Sequence, residues 1–246
     1  MTAFKFRNLC KKLLLFPFFV SMISPLEASI DSKIIQQKIN QENYSEALNE
    51  INNTIASDET NALNYLYRGV VYLHLANFYW DNDDNFTRTI DTNQKAINDF
   101  DKAIELYKDN FSKDDYPEGY LHIVHASKGH ALYNLSFNFV RNEKKKAKEI
   151  FNLSIEAFTN AIALAPVLND SVGNKSINFI APPNSYYRVL FDKGDYKYTK
   201  SQGFLDRAIV YSYAALKKSK SFCKDLKESK KLGNVQAMNL VRINRC

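Results

Sequence analysis

The chain predicts an all-α protein, and three observations carry that expectation. Glycine and proline number only 7 and 6 in 246 residues, too few for a turn-rich sandwich or barrel. Ala, Leu, Lys, Asn and Ile are abundant. Small and aromatic residues recur three and four positions apart over long stretches, the spacing that lines one face of a helix. The length suits one large domain or one repeat array with a continuous core.

Residues 1–28 read as a secretory signal peptide. Lys5, Arg7, Lys11 and Lys12 form a positive start, Leu13 to Ile23 an apolar run, and SPLEAS a small-residue exit with cleavage after Ala28. That run of eleven residues contains Pro17 and falls short of the roughly 20 needed to cross a bilayer. No membrane span is therefore expected after cleavage, and the mature chain is expected to be periplasmic or secreted. No cysteine stands at the cleavage point, so a lipid anchor is not expected.

Charge is unevenly spread over the remainder. Residues 217–246 hold nine Lys or Arg against Asp225 and Glu228, a local +7, and residues 29–216 carry about −4. A basic end attracts phosphate-rich surfaces, although a solvated lysine-bearing helix face gives the same count. The basic run has no interleaved aromatics and no nucleic-acid motif, so no nucleic-acid partner is expected.

With Cys10 removed by cleavage, two cysteines remain, Cys223 and Cys246. The sequence between them reads as a helical hairpin. Leu226 and Leu232 mark the first helix, Gly233-Asn234 the turn, and Ala237, Leu240, Val241 and Ile243 the second. Two antiparallel helices of similar length set the first residue of one beside the last of the other. That predicts a Cys223–Cys246 disulfide, persistent in an oxidising compartment. Residues 217–246 are thus expected to be a basic capping hairpin, and 29–216 the main helical domain.

The search for repeats supplies the organisation of that domain. Residues 43–75 resemble the tetratricopeptide (TPR) repeat, a helix-turn-helix unit of about 34 residues. Tyr44 and Ala47 take the aromatic and small positions of a second helix, and Tyr65, Gly69 and Tyr72 those of the next first helix. The pattern returns with Ala96, Phe100 and Ala103, then Gly129, then Phe158, Ala161 and Pro166, and in a looser match Ala208 and Ala215. The resemblance implies an α-solenoid of antiparallel helix pairs. In it Gly69 and Gly129 admit a neighbouring helix, and Arg68 buries its stem while its charge stays wet.

Departures from the family pattern are as informative as matches. Gly69 and Ala96 lie 27 positions apart, and Gly129 and Ser154 lie 25 apart, against about 12 in the family unit. Insertions of 15 and 13 residues follow, most simply as helices running on past the usual turn. Ser154 also stands where alanine is expected. Residues 167–199, with breakers at APPN and KGDY, fit the repeat poorly and read as a loop carrying one short helix.

First helices of such a stack line a concave groove. Carried over by resemblance, its groove positions are Leu66, Val70, Leu73 and His74, then Ala126, His130, Tyr133 and Asn134. They imply a mostly apolar site for a peptide or partner protein. The same side chains could equally touch a neighbouring helix. The Lys, Asn and Arg with which some relatives clamp a peptide carboxylate are largely absent.

Catalytic and metal readings rest on little. On a helix His125 lies about 60° to one side of His122 and His130 about 80° to the other, a poor arrangement for one metal. The run Asp81 to Asn85 begins like a calcium loop, but Phe86 replaces the required glycine and Thr92 the closing glutamate. No phosphate-cradling loop, nucleophile elbow or catalytic carboxylate pair is found. The expectation is an exported, non-enzymatic interaction scaffold without a cofactor. The alternative is an enzyme or metal protein with a site near His122, His125, His130 and the 167–199 segment.

Overall fold

The structure, a computed structural model, describes residues 32–82, 86–109, 120–165, 200–214 and 220–246. The expected leader, 1–28, and the segment 167–199 lie outside these residues. Among the described residues the chain forms nine α-helices and no strand. They are α1 (Ser32–Asn40), α2 (Tyr44–Ser57), α3 (Ala62–Asn82), α4 (Phe86–Asp109), α5 (Tyr120–Phe137), α6 (Lys144–Leu164), α7 (Lys200–Ala214), α8 (Lys220–Lys231) and α9 (Val235–Asn244).

Packing follows chain order. Each helix lies chiefly against its neighbours in sequence, and α3 with α4, α5 with α6 and α7 with α8 are the most extensive pairs. α3 also touches α1 and α5, which is why it is apolar nearly all round, with Tyr65, Leu66, Tyr67, Val70, Val71 and Leu73 all buried. Local turns have local causes. Between α2 and α3, Asp58 accepts from the Thr60 amide at 2.9 Å, and the Asn61 side chain accepts from the Leu63 amide at 3.0 Å to start α3.

The stretches that the resemblance reads as insertions are largely helical among the described residues. α3 continues past Gly69 to Asn82 and α4 begins at Phe86, well ahead of Ala96. α5 continues past Gly129 to Phe137 and α6 begins at Lys144.

Within each long pair one glycine meets one phenylalanine. A Cβ on Gly69 would stand 2.6 Å from Phe100 Cε1, and one on Gly129 would stand 2.9 Å from Phe158 Cζ. Real Cβ atoms do not approach a ring that closely, so the helix pair can close to this distance only where the side chain is a hydrogen. Both rings are fully buried, each burial contributing roughly 2–3 kcal/mol. Ala96 and Ala103 flank Phe100 one turn away on either side, both at zero exposure. Ser154 and Ala161 do the same for Phe158. The unexpected Ser154 is satisfied by donating its hydroxyl to the Gly129 carbonyl at 2.7 Å.

A charged contact repeats beside each of these pairs. Arg68 donates from Nε and Nη2 to Asp99 at 2.8 and 2.7 Å, and from Nη1 to Asn52 on the preceding helix α2 at 2.8 Å. Arg207 does the same with Asp225 at 2.7 and 2.8 Å and with Thr159 on the preceding helix α6 at 3.0 Å. Lys128 keeps only the preceding-helix partner, Asp101 of α4, because Ala157 stands where the other two pairs have aspartate. Arg68, Lys128 and Arg207 each precede the small residue, so Ala208 takes the place of Gly69 and Gly129. The fully buried Leu226 then takes the place of the phenylalanines. A larger small residue is matched by a smaller partner.

Arg68 therefore does not keep its charge wet; its side chain is 21% exposed and forked onto a carboxylate that is 8% exposed. Burial pushes the Asp99 carboxyl above its ordinary value, and the Arg68 hydrogen bonds and charge pull it only part of the way back. The hydrogen bonds to Asp99 in turn raise Arg68.

α8 packs on α7 as well as on α9, and Leu205, Ala208, Phe222, Leu226 and Ala237 share one cluster. The division expected at residue 217 thus falls between two helices of one packed unit. The terminal hairpin itself follows the expected course. Gly233 adopts the left-handed φ of 87° that ends α8, with its amide on the Lys230 carbonyl and that of Asn234 on Ser229. Asn234 then caps α9 by accepting from the Ala237 amide at 3.0 Å. The Cys223 and Cys246 sulfurs stand 2.02 Å apart with Cα atoms at 5.2 Å. A crosslink over this separation contributes about 3 kcal/mol by restricting the unfolded chain.

Two outcomes follow for stability. Gly69→Ala is expected to destabilise by about 1–2 kcal/mol, overpacking outweighing the gain of about 1 kcal/mol in helix propensity. Phe100→Leu added to it should recover part of that loss, as Ala208 and Leu226 already coexist; strict additivity in urea unfolding would count against the contact. Arg68→Met leaves Asp99 buried without its cation and should cost roughly 3 kcal/mol at neutral pH. Because the folded-state carboxyl is raised above its unfolded value, the folded protein holds that proton more tightly, and stability falls as pH rises through the folded value. Loss of Arg68 enlarges the shift, so the deficit should narrow as unfolding is repeated toward pH 4; a deficit independent of pH would contradict the pairing.

Candidate binding groove

The positions that the family resemblance assigns to a groove are mostly core. Leu66, Val70 and Leu73 have zero exposure, and Ala126 and His130 are at 2% and 5%. They cannot present a surface, because α3 and α5 are covered by helices on more than one side. Only His74, Tyr133 and Asn134 are partly exposed. Asn134 donates to Asn77 at 3.0 Å, joining α5 to α3. Tyr133 lies edge-on to Phe137 with centroids 4.8 Å apart.

The three clustered histidines have different surroundings. His122 is buried. His130 meets Phe158 edge to face at 4.9 Å, and its Nε2 lies 3.5 Å from Asp206 Oδ2 on α7. Gln202 donates to the other Asp206 oxygen at 2.8 Å. His125 is partly exposed and lines a different feature, described next. Among the described residues no group of three or more His, Cys, Asp or Glu is placed to hold a metal ion. The 167–199 segment of the alternative site lies outside the described residues.

An open groove of about 540 Å³ lies between α4 and α6, floored by α5. Its walls carry Ile90 and Ile97 from α4 and Ile150 and Leu153 from α6, and its floor Leu132, Leu135 and Phe139. Gln94, Asp101, Lys128, Glu156 and Asn160 supply the polar rim. Ile90 near the start of α4 and Lys146 near the start of α6 lengthen the two walls, so α4 and α6 flank α5 over much of its length. The Lys128–Asp101 contact fixes one wall to the floor. At the far end Lys146 sits 3.8 Å over the Phe139 ring, a cation–π contact.

Chemically the groove offers apolar area with charges of both signs at its edge, which is the composition of a recognition cleft. Leu153 is 50% exposed inside it, an unburied apolar side chain next to the core stripe of α6. That residue is the signal sequence reasoning could have used, since it falls off the Ala147, Ile150, Phe151, Ser154 and Phe158 face. Sequence reasoning assigned the binding surface to first helices, whereas the groove is walled by second helices. Among the described residues no helix is long and apolar enough to cross a membrane.

Compared with family models, curated proteins and solved structures, the chain matches none.

Proposed function

We propose that this protein is an exported, non-enzymatic interaction scaffold of the TPR-like kind, receiving an extended or helical segment of a partner protein between α4 and α6. The glycine–phenylalanine pairing, occurring twice and echoed by Ala208 with Leu226, and the three charged neighbours support a repeat stack in which each hairpin contacts the next. The signal-like residues 1–28 and the Cys223–Cys246 pair support export to an oxidising compartment. The observation that carries the binding reading is the groove of about 540 Å³ with its apolar floor and the exposed Leu153. Binding there would bury apolar surface while the rim selects polarity and direction. The partner surface consequently moves from the first-helix positions to the second-helix side.

A photo-crosslinking residue placed at Leu153 tests this in the producing cell. Adducts to one protein species are expected from position 153 and not from Lys148, which is exposed on the same helix outside the groove. Ile90→Asp should abolish them. Equal labelling from both positions, or labelling insensitive to Ile90→Asp, would reject the groove as the binding surface.

A further inference from the structure

The α8–α9 hairpin combines two exposed features. On α8, Lys220, Lys224, Lys227 and Lys231 are all exposed and edge a shallow groove beside Cys223. At 100° per residue they fall within about 60° of one another, a single stripe. On α9, Val235, Met238 and Ile243 are 68%, 41% and 68% exposed, and with Arg242 they span about 140° of the helix. Exposed Asn239 shares this arc with them.

Acidic groups offset only part of the charge. Asp225 is buried against Arg207, and Glu228, at the edge of the lysine groove, is paired to Lys231 at 2.7 Å. The Cys223–Cys246 bond ties the end of α9 to the start of α8, so the exposed apolar residues and the lysine stripe belong to one crosslinked hairpin.

We propose that this hairpin docks on an anionic phospholipid surface. A nucleic-acid backbone would use the lysines but gain nothing from Val235 and Ile243. The headgroup boundary of a bilayer uses both, aliphatic side chains entering the acyl edge while lysines meet lipid phosphates. The bound state leaves the α4–α6 groove free, so a partner could be held at the membrane.

Vesicle co-sedimentation of the full chain with its disulfide intact tests this, using phosphatidylcholine alone and an equal mixture with phosphatidylglycerol. Residues 1–31 are common to every variant, so differences between variants report the hairpin. Binding is expected to require phosphatidylglycerol and to weaken with salt. It should fall roughly tenfold or more when Lys220, Lys224, Lys227 and Lys231 are all changed to Glu, and several-fold for Val235→Ser with Ile243→Ser. Unchanged thermal melting would show that these surface variants fold. Equal binding to neutral vesicles, or anionic binding untouched by the lysine reversals, overturns the proposal. So does wild-type affinity in the Val235→Ser, Ile243→Ser variant with displacement by poly-glutamate, which would assign the hairpin to an acidic polypeptide.

Discussion

A glycine pressed against a phenylalanine ring is the contact on which the rest of this structure depends. Helices pack at a distance set by the side chains between them, and at Gly69 and Gly129 that side chain is a hydrogen. The rings of Phe100 and Phe158 then occupy the space and are fully buried. The α7–α8 pair obtains a comparable fit with Ala208 and Leu226. Once the spacing is set, the residue preceding each small position reaches an acceptor on a neighbouring helix, which is why Arg68, Lys128 and Arg207 recur in register. Burial of Asp99 opposes its ionisation, and the Arg68 fork offsets part of that cost.

Much of this was legible because it is local. Gly69 and Gly129 stand out among seven glycines as the two inside long apolar helices, and the small residues a turn either side of each phenylalanine repeat at helical spacing. The long helices were readable from the distance between matched positions, and the cysteine pairing from the similar lengths of two short helices. What escaped is set by contacts distant in sequence. His130 looked like a groove residue until Asp206 and Gln202 arrived from α7, 76 and 72 positions onward. Leu66, Val70 and Leu73 are apolar in a manner equally suited to a groove or a core, and only the number of covering helices decides between them. Asp99 and Asp225 fell on helix faces whose partners periodicity does not name.

Function follows the same division between spacing and surface. The latches consume the apolar faces of α3 and α5, leaving an open groove between α4 and α6 over α5. In the α8–α9 hairpin a lysine stripe and exposed apolar residues are tied together by the disulfide. The proposed partner cleft and the proposed lipid-binding hairpin lie on different helices, so the two proposals do not compete for one surface.

Proton NMR tests the central contact most directly. With the Gly69 and Gly129 α-protons lying against the Phe100 and Phe158 rings, their resonances should be displaced strongly by the ring currents. Each should also show cross-relaxation to the protons of its own ring and not to the other. Unshifted glycine α-protons lacking those cross-peaks would contradict the account, since the helix spacing from which every other feature is derived would then be absent.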